Sequence, residues 1–451
     1  MLRWLLILLS VGAATAWCQT VPSQSLESKR LSPRSGTDKQ IQSLQAQTKA
    51  APGNYLSYDA LGSAFFQKAR ETGDISYYDL AEQSLKKAID AAPRDFRAAD
   101  PLVHLASVYM GEHRFSDALG YAQKAIGLGS GNLAAFAIEG DAYADMGDYD
   151  RAASAYDAGH VLGQATSSPL AVAYMTDSRL AYLRFLHGDA PDAIRLMNSA
   201  IAAALQTDVS GENLAWLYFE LGERYFQSGD LEHAGLAYQA GITADEDHYR
   251  SLAGLAKVRA AQGKFNESIQ LYQRSLAIIP FPAYVAELGD VFKKADRAAE
   301  AQQQYDLVEY IGHLGTLNQV LANRELAVFY ADQGIKLPEA VELARKELEL
   351  RHDIYTWDAL AWTLYRNDRL QEAAEASDRA LALHTNDSMI LFHAGMICHG
   401  LGKDLDAENF LTRALKTNPH FHVFFADVAA RTLEEISRSR NQDLRSSHAG
   451  R

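Results

Sequence analysis

Five residues near the C-terminal end are of the type that binds transition metals: His393, Cys398, His399, His420 and His422. Imidazole nitrogen and thiolate sulfur suit zinc or copper. The spacing serves that chemistry poorly. His393 and Cys398 lie five apart, off a common helical face, so only His399 and the His420–His422 pair could meet, across a turn. The simpler reading puts Cys398 in a core, where a free thiol behaves as a small hydrophobe, and lets the histidine pair close one end of the fold. An accessory metal-handling role is the alternative, with His399, His420 and His422 as weak candidates; no metal and no other cofactor is expected. No further chemistry is written in the chain. It has no Gly-Lys-Ser/Thr phosphate loop, no G-x-S-x-G elbow and no H-E-x-x-H helix. The glycine-rich stretch at 127–132 lacks the strand that a phosphate loop follows and reads as a plain turn. No catalytic residue is assigned, and an enzyme is not expected.

The elements are read from small residues. One column runs Gly62, Ala106, Gly140, Ala181, Gly222, Ala256, Gly289, Ala327, Ala361, Gly395; a second runs Ala81, Ala118, Ala152, Ala193, Ala234, Ser268, Ala301, Ala340, Ala373, Ala407. Eight of the ten separations are 12, the first is 19 and the eighth is 13. Small residues on two short helices let those helices approach closely, and constant spacing means one helical hairpin built repeatedly. Gly-Asp pairs at Gly73, Gly147, Gly188 and Gly229, and Gly-Lys at Gly263 and Gly402, predict the reversals: glycine ends one helix in the left-handed conformation and the next residue caps its successor. Leu precedes most of the first column and an aromatic often follows three residues after it, as in Phe65, Tyr109, Tyr143, Tyr225, Phe292 and Tyr330, which places both on one helical face.

Small residue, aromatic three on, Ala opening the second helix, a third small residue seven on and then Pro (Pro93, Pro280, Pro419) resembles the tetratricopeptide repeat. The resemblance covers about ten units from 55 to 420 and implies an all-α, right-handed superhelical solenoid of helix-turn-helix repeats. It further implies a non-catalytic protein- or peptide-binding scaffold, whose first helices line a concave groove. On that register the groove carries Tyr182, Phe185, Trp216, Phe219 and Phe226, then a basic stretch with Arg250, Lys257, Lys293, Lys294 and Arg324, then Tyr355, Trp362, Tyr365, Arg366, Phe392, Met396 and His399. Aromatic and Arg side chains carry most interface energy, and such a groove suits an extended peptide with an acidic stretch. The competing expectation is that a tight superhelix buries these rings. Arg184 and Arg259 stand where a buried ring is expected, so each needs a carboxylate partner or a path to the surface.

The formal net charge of −14 argues against a general nucleic-acid binder, which needs a basic face. Arg3, the apolar run from Trp4 to Val11 and Ala14-Thr15-Ala16 read as a cleaved leader over residues 1–16. The run is shorter than the roughly 20 residues that span a bilayer. A periplasmic or secreted location follows, as in exported bacterial proteins of this kind, with an uncleaved leader or a lipidated Cys18 as the alternative. Residues 17–54 hold a polar linker and one amphipathic helix with Ile41, Leu44 and Thr48 on one side. A capping helix is expected over 421–437 and a basic, disordered tail over 438–451. A structural part in an envelope assembly is a further alternative; partner and oligomeric state are not written in the chain.

Overall fold

The computed structural model describes residues 36–165, 169–207, 209, 211–318 and 323–449. The leader and Cys18 lie outside them. No strand occurs among the described residues. The first helix, α1 (Gly36–Ala50), turns Ile41, Leu44 and Thr48 inward. Ten antiparallel pairs follow: α2 (Tyr55–Thr72) with α3 (Ser76–Ala91), α4 (Ala99–Gly111) with α5 (Phe115–Gly127), α6 (Leu133–Asp145) with α7 (Tyr149–Ala165), α8 (Ser178–Leu186) with α9 (Ala190–Gln206), and α10 (Gly211–Gln227) with α11 (Leu231–Ala244). The second half pairs α12 (Tyr249–Ala261) with α13 (Phe265–Ile278), α14 (Pro282–Lys294) with α15 (Ala298–Asn318), α16 (Asn323–Gln333) with α17 (Leu337–Leu348), α18 (Ile354–Arg366) with α19 (Leu370–Ala380), and α20 (Ser388–Gly400) with α21 (Asp404–Thr417). A π-helical turn, Ala173–Asp177, leads into α8.

The small columns are the seam of each hairpin. Ala106, Ala181, Ala256, Ala327 and Ala361 are completely buried, as are most residues of the second column. Glycine replaces alanine where the partner helix sends a large side chain across. A Cβ on Gly140 would lie 2.1 Å from Tyr156 Cε1, and one on Gly289 would lie 2.4 Å from Tyr305 Cε1. Both distances are shorter than any van der Waals contact, so the seam admits the ring only because that side chain is missing.

The array winds until its successive turns touch. The reversal of repeat 1 meets Ile279, before repeat 7. The reversal of repeat 3 meets the linker before repeat 9, where His352 N donates to Asp145 O (3.0 Å) and Ile354 N donates to Tyr149 Oη (2.9 Å). In repeat 4, Gly188 O accepts from Asn386 Nδ2 (3.1 Å), before repeat 10. In repeat 5, Phe226 O accepts from Asn418 Nδ2 (2.8 Å), after repeat 10. Each of these four reversals therefore docks on the linker that lies six repeats further on. Gly147 and Gly229 serve twice: φ is 78° and 81°, and an added Cβ would lie 2.5 Å from His352 O and 2.7 Å from Thr417 O.

The last helix, α22 (Phe425–Ala449), covers the end of the stack. It starts later than expected and runs through the segment read as a disordered tail, which corrects that expectation. Two of the basic residues there have acidic partners: Arg440 meets Glu408 of α21 at 2.5 Å, and Arg438 meets Glu434 one turn back at 2.9 Å. Such pairs favour a helix over a solvated coil.

Candidate functional site

In each first helix the small residue faces the partner helix. The next residue, rotated by about 100°, points to the superhelix interior. That position holds Asp141, Tyr182, Glu223, Lys257, Asp290 and Trp362. These side chains fall into separate places: Asp141, Tyr182 and Glu223 line one cavity, and Lys257 and Asp290 another.

A chamber of about 460 Å³ lies between repeats 3, 4, 5 and 9. Tyr182, Trp216, Phe219 and Tyr355 supply its apolar wall, and Asp141, Asp145, Glu220, Glu223, Arg179, Arg224 and Gln227 its polar one. The charges are matched. Arg179 grips Asp141 with Nε and Nη2 (2.8 and 2.9 Å), and the same carboxylate accepts from Tyr156 Oη (2.8 Å). Arg224 Nη2 donates to Glu220 (3.0 Å), and the guanidinium lies over Phe185 at 4.5 Å. Glu223 accepts from Lys257 Nζ (2.8 Å) and Tyr238 Oη (2.6 Å). Asp145 meets Arg351 at 3.1 Å.

Burial sets the proton affinities in this wall. It pushes Asp145 up to about 7, with Arg351 opposing the rise. Burial raises Glu220 likewise, against Arg224. Burial also works against the Glu223 carboxylate, but Lys257 and Tyr238 more than offset it and hold that group below its ordinary range.

A second cavity of about 250 Å³ lies under the chain that leads into α22, between Pro419–Asp427 and repeats 6 and 7. Phe226, Lys257, Asp290, Lys294 and His422 are in its wall. His422 Nε2 lies 3.5 Å from Asp290. Burial disfavours its charged form, yet Asp290, Asp332 and Glu287 raise its proton affinity above the usual imidazole value.

The residues assigned to the groove are thus dispersed. Phe185, Phe219, Phe226 and Trp362 are buried, at 4, 7, 7 and 3 % exposure, because the tight winding packs their rings against neighbouring helices. Tyr182, Trp216 and Phe219 meet in the 460 Å³ chamber; Phe226 and Lys257 meet in the smaller cavity. Trp362 is enclosed elsewhere, stacked on His393 (4.2 Å) and Tyr365 (5.1 Å), with its Nε1 on Asp332 (2.7 Å). Burial pushes Asp332 up to about 6. Arg366 lies over that indole and donates to Asp332 O. The basic stretch is not a free cationic surface: Lys257 is paired with Glu223, Arg324 with Asp353 (3.2 Å) and Lys294 with Asp427 (2.7 Å). Lys293 is exposed, above Phe424.

The histidines are not gathered into one site either. His393 bonds Asp358, His399 bonds Asp404 (2.8 Å), His420 is exposed and His422 sits by Asp290. Among the described residues one trio of possible ligand atoms lies close together, Asp79, Glu82 and Glu112. Glu82 and Glu112 already take Arg114, and Glu82 also takes Tyr109 and Lys86. Arg184 and Arg259 reach Asp192 (3.3 Å) and Glu267 (3.0 Å), as their exposed ends allow.

Sequence reasoning passed over the carboxylate that follows the seam glycine and the tyrosine fifteen residues later. Asp141–Tyr156, Glu223–Tyr238 and Asp290–Tyr305 are all joined, the last at 2.7 Å. Gly-Asp/Glu with Tyr at that fixed offset was a visible signal. Arg179, Arg224 and Gln227 carried none.

A family model described as tetratricopeptide repeat matches residues 103–169 and 219–282. No curated protein matches the chain. Among solved structures, the chain is similar to yeast Tom70 (11% identity, 90% of this chain, 97% of that one, TM-score 0.41). It is also similar to a chain of the APC/C hetero-tetramer Cut9-Hcn1 (12% identity, 92% and 94%, TM-score 0.32). A third likeness is to a tetratricopeptide repeat protein from Parabacteroides merdae (14% identity, 59% and 99%, TM-score 0.34). Both matched segments fall on hairpins whose seam recurs, in one register, in the hairpins around them, and the chain folds as an all-α solenoid of tetratricopeptide-type repeats.

Proposed function

We propose that the protein is a non-catalytic scaffold, exported from the cytoplasm, that holds a short segment of a partner polypeptide at the inner face of its superhelix. The repeat fold supports a protein-interaction role in general. The observation that carries the finer reading is the 460 Å³ chamber walled by Tyr182, Trp216, Phe219 and Tyr355. Aromatic walls of this kind anchor one or two partner side chains. Contact between superhelical turns leaves no long open trough, so the bound segment is short. The leader motif at 1–16 supports the export part of the reading.

Affinity capture with the purified chain tests it. Trp216→Ala, with helical content unchanged by circular dichroism, is expected to weaken partner capture by about 2 kcal/mol, roughly thirtyfold. Capture equal to that of the parent chain would refute the chamber as the binding site. The mass of protein recovered from the native host tests export: a mature N-terminus after Ala16 is expected, and retention of Met1 in a cytoplasmic fraction would refute it.

A further inference from the structure

The chamber wall contains two polar atoms that the protein leaves unmet. Arg224 is 6 % exposed, and while its Nη2 and Nε are engaged by Glu220, its Nη1 is buried with no partner. Gln227 Oε1, one helical turn further along α10, is likewise buried with no partner. Both residues line the chamber. An unmet buried donor costs free energy, and here an unmet donor and an unmet acceptor stand i, i+3 on one helix face, beside aromatic rings.

The charges of the wall decide what fits. Asp141, Asp145, Glu220 and Glu223 are each already opposed by Arg179, Arg351, Arg224 and Lys257. An anionic group would bring excess negative charge into a balanced, poorly solvated box, and a cation would find no free carboxylate. What remains is a neutral group that accepts and donates side by side.

We infer that the chamber binds a planar, uncharged amide, with its carbonyl oxygen accepting from Arg224 Nη1, its N–H donating to Gln227 Oε1, and its apolar flank against Trp216 and Tyr182. A carboxamide side chain of a partner polypeptide, with its C=O and one N–H on the same edge, offers this pattern, and so does a free lactam heterocycle; a trans peptide group, whose C=O and N–H point in opposite directions, does not. The inference rests on the chamber being the binding site proposed above.

The test is calorimetric titration of the full chain with N-acetyl-phenylalaninamide, its acid N-acetyl-phenylalanine, and uracil. Ligands of this size are expected near a Kd of about 1 mM. The amide or uracil should bind at least about tenfold more tightly than the acid; binding of the amide alone assigns a polypeptide source, and binding of uracil alone assigns a heterocycle. Arg224→Met and Gln227→Leu should each weaken the bound probe by about tenfold. Should Arg224→Met unfold because Glu220 is stranded, Gln227→Leu carries the test with its fold verified. Equal or tighter binding of the acid, no binding of either neutral probe at about 10 mM, ten times the expected Kd, or undiminished binding to Gln227→Leu would overturn the inference. If the neutral probes fail while Trp216→Ala still weakens partner capture, the amide assignment falls and the scaffold reading stands.

Discussion

The left-handed reversal between the helices of a repeat is filled in two ways. Glycine occupies it in repeats 1, 3, 4, 5, 6, 8 and 10, but His113, Asp296 and Asp368 take it in repeats 2, 7 and 9, with φ of 58°, 59° and 57°. A side chain in this region is strained against its own carbonyl. Asp368→Gly is therefore expected to raise stability by about 0.5–1 kcal/mol, read as an upward shift in the thermal midpoint. A lower midpoint would show that the Asp368 side chain holds the turn. His248 is a second residue with a strong preference. It is 3 % exposed, its Nδ1 accepts from Ser251 N, and burial, helped by Arg250 and Arg70, lowers its proton affinity to about 3. The unfolded chain binds a proton at this imidazole below about 6.5 while the folded chain does not. Its contribution is complete above pH 6.5 and declines as the pH falls toward 3, by about 1.4 kcal/mol per unit. Denaturant titrations across that window should show a shallower acid loss in His248→Asn, which keeps the capping acceptor. Parallel curves for both proteins would remove His248 from the account.

At the scale of the helical pair, the seam explains why glycine and alanine alternate in one column. Where the second helix carries Tyr156, Tyr238 or Tyr305, the first carries glycine and, next to it, the carboxylate that accepts the phenol. Ring, gap and acid form one unit. Gly140→Ala should cost about 1–3 kcal/mol by overpacking, measured by urea unfolding, and Tyr156→Leu in the same chain should recover part of it. A neutral Gly140→Ala would mean that α6 and α7 separate freely. This level was readable before any coordinates, since spacing within a hairpin is local. The sixteen-residue offset from the seam glycine to the ring is equally local and equally readable. The assignment of Phe185, Phe219, Phe226 and Trp362 to an open surface failed for another reason. Register tells which way a side chain leaves its helix, but whether water or another turn of the coil stands there depends on pitch.

Pitch is a property of the whole molecule, and it rests on small rotations summed over many repeats. Nothing marks His352, Asn386 or Asn418 as more than loop residues; their partners lie roughly two hundred positions away and were chosen by winding. The chamber, bounded by repeats 3, 4, 5 and 9, was hidden for the same reason. Asn418 is 1 % exposed, so Asn418→Ala leaves Phe226 O without its donor and should cost about 1–3 kcal/mol. Combined with Asn386→Ala, it should release amide protection simultaneously at 186–190, 226–230, 384–387 and 417–420, as seen by hydrogen exchange. Loss confined to the mutated linkers would show that the turns are merely adjacent.

A linear repeat array tolerates duplication or deletion of a unit, since each unit knows only its neighbours. Here a hairpin removed between Gly147 and His352 would slide every later linker one place along, so that Asp145 would face the wrong backbone and Asn386 would reach past Gly188. The number of units is thereby locked like the teeth of two meshed racks. Change in this molecule by point substitution is open to selection; change by adding or dropping a repeat is closed unless six units move together.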